Sequence, residues 1–173
     1  MNPFTFIKNV VRALQGGSDP RHVAAGFALG AALGLVPKDS LFSVIFVLVF
    51  FLLRVDKGMA LASALVFTTL AYALDGLAHS LGYGLLTAHA LAPLWARLYD
   101  MPIVPWTRFN NTVVMGNLVI GAVLFVPLYL VSLRGILYYR ANWSERVAKL
   151  RLVKAVTGLS IVSWYLRSTG EGG

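Results

Sequence analysis

The sequence predicts an all-α, polytopic integral membrane protein, and three observations carry that prediction. Hydrophobic residues fill 58% of the 173 positions, charged residues only 13%, and mean hydropathy is +0.73. Soluble domains carry roughly 45–50% apolar and about 25% charged residues. An ordinary soluble globule is therefore disfavoured, and so is intrinsic disorder, which needs low hydrophobicity. Second, Lys plus Arg total 15 against 7 Asp plus Glu, a net charge of +8. On so apolar a chain the natural partner for that charge is an anionic membrane leaflet. Third, the apolar residues come in runs, and the longest, Thr112 to Leu133, holds 22 residues without a charge. The length fits one domain, residues 1–173.

Residues 1–16 read as an interfacial amphipathic helix. Phe4, Ile7, Val11 and Leu14 share one helical face, with Lys8, Asn9, Arg12 and Gln15 opposite. Gly16 and Gly17 end it. No cleavable signal peptide is expected, because the first strongly apolar stretch begins only near Val23. Ser18-Asp19-Pro20 then supplies a capping side chain followed by Pro in a first helical turn. The apolar helix that follows runs from His22 to Val36 and stops at Pro37. After Lys38, Asp39 or Ser40 can cap a second apolar helix, Leu41 to Leu53. Fifteen helical residues cover about 22 Å, short of a hydrocarbon core about 30 Å thick. Two such helices joined at a Pro-containing turn form either a re-entrant hairpin or two thin, tilted spans.

Arg54 to Gly58 is a polar turn. Met59 to Leu74 is an apolar helix of near-spanning length, which Asp75 is expected to interrupt before Gly76 to Thr87 continues. Residues 89–111 hold Pro93, Pro102 and Pro105 with Trp95, Tyr99 and Trp106, an irregular interfacial stretch with an aromatic belt. Residues 112–133 are the cleanest span, with Pro127 expected to kink it. From Arg134 the chain leaves the membrane. Asn142 then has the position of an N-cap, with Glu145 three residues on. The basic amphipathic helix expected there presents Arg146, Lys149, Arg151 and Lys154 to anionic lipid, within a cytoplasmic segment 134–173.

Charge sets the topology. Seven basic residues follow Leu133, three precede His22, and Arg54 and Lys57 flank the 54–58 turn. The 89–111 stretch has only Arg97 and Arg108, offset by Asp100. The positive-inside rule places both termini and the 54–58 turn in the cytoplasm and 89–111 on the opposite side of the membrane. Either form of the hairpin gives the same parity.

Four-residue spacing places Gly26, Gly30 and Gly34 on one helical face, where a second helix can approach closely. Asp75 and His79 also share a face amid apolar residues, and an intramembrane carboxylate is costly enough to suggest a polar or proton-relaying site. Lys38 and Asp39 at the turn between the short helices join them as candidates, lining a cavity if the hairpin re-enters and snorkelling to water if it does not. Asn117 is expected to hydrogen-bond between helices. No cysteine is present, and GxSxG, HExxH, P-loop and GxGxxG patterns are missing. No catalytic residue, metal site or cofactor is expected. Nucleic acid is not an expected partner either, since no groove-reading signature is found. Asn110-Asn111-Thr112 and Asn142-Trp143-Ser144 match the glycosylation triplet by chance.

The run from Pro20 to Pro37, with Pro20-Arg21, the Gly26-Phe27-Ala28-Leu29-Gly30 core, Gly34 and Pro37, resembles the opening signature of the bacterial membrane family called domain of unknown function 2062. Leu81-Gly82-Tyr83-Gly84-Leu85-Leu86 is similar to its Gly-x-x-Leu-Leu segment, so the resemblance covers residues 18–88. Arg54-Val55-Asp56 stands where the family has Arg-x-Asn, and an Asn-Pro-x-Thr stretch is replaced near Val66-Phe67-Thr68-Thr69. The departures mark a divergent branch, of a kind that occurs in bacteria with outer membranes. The resemblance implies no established activity. It implies envelope work beside a larger partner protein, and fusion of some members to glycosyltransferases is an association only. The expected role is a non-enzymatic anchor or subunit contacting the bilayer, anionic lipids and that partner, with homo-oligomerisation left open. The alternatives are a small transporter using Lys38, Asp75 and His79 and, third, an enzyme acting on lipid-linked substrates.

Overall fold

A computed structural model describes residues 9–143, and every described element is helical. The expected helix carrying Arg146, Lys149, Arg151 and Lys154 lies outside these residues, as does the start of the N-terminal amphipathic segment. What is described of that segment is a helical turn at 9–12 running into a π-helical turn, Ala13–Gly17. Gly16 ends it at φ +106°, a conformation that residues with a Cβ rarely adopt.

Helix α1 spans Pro20–Leu35. The Asp19 carboxylate accepts the Arg21 N–H at 2.7 Å, and Pro20 occupies the first turn, where its missing N–H costs nothing. Pro37 forces the exit. Helix α2 spans Leu41–Leu52; Ser40 stands at its N-cap position, but its hydroxyl donates to the Pro37 carbonyl at 2.8 Å instead of capping the helix. Helix α3, Lys57–Leu86, starts at Asp56, whose carboxylate accepts the Met59 N–H at 2.9 Å. A 3-10 turn at His89–Leu91 leads into α4, Ala92–Tyr99, and a second 3-10 turn covers Val104–Thr107. Helix α5 spans Thr112–Asn142 and begins at Asn111, whose side-chain oxygen accepts the N–H groups of Val113 and Val114.

Helices α1, α3 and α5 pack on one another as a three-helix bundle. Gly26, Gly30 and Gly34 meet Asp56, Ala60 and Ala64 in turn, so α1 and α3 run parallel. Gly82 meets Thr112 and Gly116 meets Ala78, so α5 runs antiparallel to α3. Parallel neighbours need a return connection, and α2 supplies it. The Asp56 N–H donates to the His22 carbonyl at 3.1 Å, so the chain comes back to the end where α1 began. That end, which also holds the C-terminus of α5, is the base. The opposite end carries residues 87–111.

Four expectations change. Asp75 does not interrupt a helix; α3 is continuous for 30 residues, because a carboxylate on a half-covered face leaves the backbone ladder intact. Helix α5 does not end at Leu133 but runs nine residues further and stays helical through Pro127. Asn142 is the last residue of α5, its amide donating to the Tyr138 carbonyl at 3.1 Å, rather than a residue outside that helix, and the helix expected beyond it lies outside the described residues. The 89–111 stretch is more regular than predicted, since Pro93 and Pro105 sit in first turns, where Pro favours helix.

Candidate functional site

The glycine face is a backbone seam. A methyl group on Gly26 would lie 2.6 Å from the Asp56 carbonyl oxygen, one on Gly34 2.7 Å from that of Ala64, and one on Gly30 closer still to Ala60. Only residues without a Cβ allow this approach. The Ser63 hydroxyl, 1% exposed, crosses the seam and donates to the Phe27 carbonyl at 2.6 Å. The glycines therefore do not pack α1 against α2, its hairpin mate. They pack it against α3, and their face is fully used within the chain.

A second seam joins α3 to α5. Cβ atoms on Gly82 and Gly116 would collide with the carbonyls of Thr112 and Ala78. Sequence reasoning noted Gly82 in passing and missed Gly116. The clue was there: Ala78–Gly82 and Thr112–Gly116 are both small residues four apart.

At the base, Asp56 does three things. It caps α3, its other carboxylate oxygen accepts the Ser18 hydroxyl at 2.8 Å, and its carbonyl underlies Gly26. An Asn at this position could make the same cap. Arg140 closes the base from α5. Its guanidinium donates to the carbonyls of Ala13 and Ser18, each at 2.7 Å, and Leu14 at 3.2 Å. From sequence it counted only as a topogenic charge.

At the α1–α2 turn, Lys38 Nζ folds back on the C-terminus of α1. It donates to the carbonyls of Leu33, Gly34 and Val36 at 2.5, 3.2 and 2.8 Å. These are orphan acceptors of a helix end, favourably met by a cation. The buried Ser43 hydroxyl bridges toward the carbonyls of Lys38 and Ser40. Asp39 forms an ion pair with Arg108, which lies in the left-handed region at φ +55° just after Val104–Thr107. The segment opposite the base thus reaches down to the hairpin tip.

Asp75 and His79 do not form a pair. His79 Nδ1 shares a hydrogen bond with Thr112 Oγ1 at 2.7 Å, tying α3 to the start of α5. Asp75 makes no hydrogen bond or ion pair among the described residues. Lys38 is thus held by the end of α1 and His79 by Thr112, with no bond among the three candidate residues. Asn117 is 1% exposed, and its side-chain oxygen meets no donor, so the expected interhelical bond is not formed. Among the described residues no group of three His, Asp or Glu gathers as a metal site.

One cavity, of about 450 Å³, opens in the 87–111 region. Trp95, Tyr99 and Phe109 line it with Asp100 and Asn110. The Trp95 indole N–H donates to the Leu85 carbonyl at 3.1 Å, and its ring lies 6.0 Å from that of Phe109.

Fold and sites together define an all-helical bundle with two helices, α3 and α5, long and apolar enough to cross a membrane. The chain belongs to the family of uncharacterised proteins conserved in bacteria, domain of unknown function 2062, whose pattern matches residues 5–144. The match extends well beyond the 18–88 segment that carried the resemblance. An uncharacterised protein of Treponema pallidum (strain Nichols) is 32% identical over 132 residues, 76% of this chain and 82% of that one. No solved structure matches.

Proposed function

We propose that this chain is an integral protein of the bacterial inner membrane and a non-catalytic anchor or subunit for a larger envelope partner. In this reading α3 and α5 cross the bilayer, the base and both termini face the cytoplasm, and the α1–α2 hairpin enters from the cytoplasmic side and returns. The observation that carries it is how little of the oil the fold covers. Only 11% of the most apolar window of α3 and 28% of that of α5 are buried by protein. Leu65, Val66, Val123, Val126 and Val131 on these helices, and Phe51 and Leu52 on α2, stay largely uncovered. A soluble fold would hide such side chains, whereas acyl chains solvate them without cost. Helix α2 has 12 residues, about 18 Å, which supports a return rather than a crossing.

The anchor reading is preferred to a transporter because Lys38 and His79 are each engaged elsewhere, by the carbonyls at the end of α1 and by Thr112, and not by one another or by Asp75. It does not use the glycine face as a partner surface, since α3 already occupies that face.

The absence of cysteine makes the test clean. Single cysteines replace Asp39, Val55 and Ile103 in full-length chain expressed in cells. An impermeant thiol reagent is expected to label Ile103→Cys from the periplasm and Val55→Cys only after lysis, with Asp39→Cys, beside Arg108, labelled more slowly than Ile103→Cys and from the same face. Labelling of Val55→Cys and Ile103→Cys from one face would overturn this topology. Recovery of the chain from mild detergent with lipid but without any stoichiometric second protein would overturn the anchor role.

A further inference from the structure

We infer that the cavity in the 87–111 region is a binding site for an organic ammonium group, of the kind carried by ethanolamine or choline. Three features of its lining converge on that chemistry. Trp95 and Phe109 form an aromatic wall, with their rings 6.0 Å apart and inclined by 34°. Tyr99, one helical turn beyond Trp95, brings a third ring to the same space. Aromatic faces attract cations, and Trp does so most strongly. The wall is rigid where it matters: the indole N–H is held by Leu85, and Phe109 is only 4% exposed.

The second feature is a carboxylate without a mate. Asp100 lines the cavity. The Arg108–Asp39 pair is the ion pair formed among the described residues, and Asp100 enters none. Arg97, three residues earlier on the same helix, does not bridge to it. Third, Asp100 follows directly on the last residue of α4. A helix C-terminus carries partial negative charge, so a carboxylate there is electrostatically misplaced unless a cation joins it. Asn110 adds an amide that makes no hydrogen bond within the described chain, free to meet a hydroxyl or phosphate ester beside the ammonium. The cavity is large enough for a small headgroup.

A metal ion fits this lining less well, since one carboxylate and one amide are too few oxygen ligands and three rings supply none. An organic cation uses both the rings and the carboxylate. The ammonium can come from a free amine or from a zwitterionic phospholipid. The site rests on the cavity itself, and only a lipid origin for the ligand rests on the membrane reading above.

The test uses the full chain purified in an uncharged maltoside detergent. In one arm choline chloride is added, with sodium chloride of equal strength as control, and saturation transfer to the choline methyl signal is recorded. In the other the chain is reconstituted in mixed phosphatidylethanolamine and phosphatidylglycerol, and retained lipids are counted by native mass spectrometry. At least one probe is expected to bind the wild type, and Asp100→Asn is expected to weaken it about tenfold. Trp95→Phe, which keeps a ring face, should bind more tightly than Trp95→Leu. A choline signal alone assigns a free amine, and phosphatidylethanolamine enrichment alone assigns a lipid headgroup. The inference is overturned if neither probe binds a chain that inserts normally, if Asp100→Asn binds like wild type, or if Trp95→Leu does. Asp100 is exposed, so Asp100→Asn leaves folding intact. A chain that fails to enter vesicles yet still binds choline through Asp100 would sink the membrane reading and leave this site standing.

Discussion

The base of the bundle and the 87–111 segment opposite it are held by different means. At the base, Asp56 links Ser18, His22 and Met59, and Arg140 clasps three backbone carbonyls. The glycine seam starts there, backbone against backbone. The 87–111 segment is braced internally by the Trp95–Phe109 ring contact and joined to the rest by the Trp95 bond to Leu85 and one ion pair whose side chains are 54% and 59% exposed. Hydrogen bonds to charged groups, half-buried as these are, contribute up to about 1.5–3 kcal/mol each, while exposed ion pairs contribute about 0–1 kcal/mol. The base is therefore the more strongly tied end of the molecule, and the opposite segment, although its Trp95–Phe109 wall is itself fixed, is joined to the bundle by fewer bonds.

Substitutions can break or sharpen this contrast. Gly30→Leu should have the largest effect, because its side chain would have to displace the α3 backbone at Ala60. A loss of about 3 kcal/mol or more is expected, seen as absence of folded chain on gel filtration in detergent. Gly116→Ala tests the other seam, where even a methyl group meets the Ala78 carbonyl. It should lower stability by about 2 kcal/mol in thermal melts followed by helical circular dichroism. Arg140→Ala should cost about 2 kcal/mol and specifically raise amide exchange at 13–18, with little change at 104–109. Asp56→Ala should cost about 1 kcal/mol through the lost cap, whereas Asp56→Asn should stay within about 0.5 kcal/mol of wild type. Smallest is Asp39→Asn, expected to change the melting curve by no more than about 1 kcal/mol while speeding exchange at the 36–40 turn. Equal sensitivity of Arg140→Ala and Asp39→Asn would erase the distinction between the two ends.

Much of this was legible in the sequence because it is local. Asp19 before Pro20 and Pro37 mark helix ends through chemistry that acts over a few residues, and Asn111, which caps α5 by the same local chemistry, was overlooked. The close-packing role of Gly26, Gly30 and Gly34 was legible for the same reason, but its recipient was not. Four-residue spacing says that a helix approaches, not which one, and the return through α2 directs that face to α3. Asp75 and Leu133 misled because hydropathy was read as helix length. A helix ends where its backbone ladder ends, and Arg134 and Gly135 leave that ladder intact. Asp75 and His79 look paired on one helix, yet His79 faces α5 and finds Thr112. The ion pair of Asp39 with Arg108 joins residues 69 positions apart, beyond the reach of any local pattern.

The constant offset between Gly26 and Asp56, Gly30 and Ala60, and Gly34 and Ala64 carries a consequence for synthesis. When α1 leaves the ribosome, the strand of polypeptide that will cover its bare side does not yet exist. At about 5–20 residues per second, that side waits on the order of a few seconds for its mate to be translated. During that interval α1 and α2 are on their own, and whatever shelters them then, lipid or an insertion factor, governs how many chains reach the finished bundle.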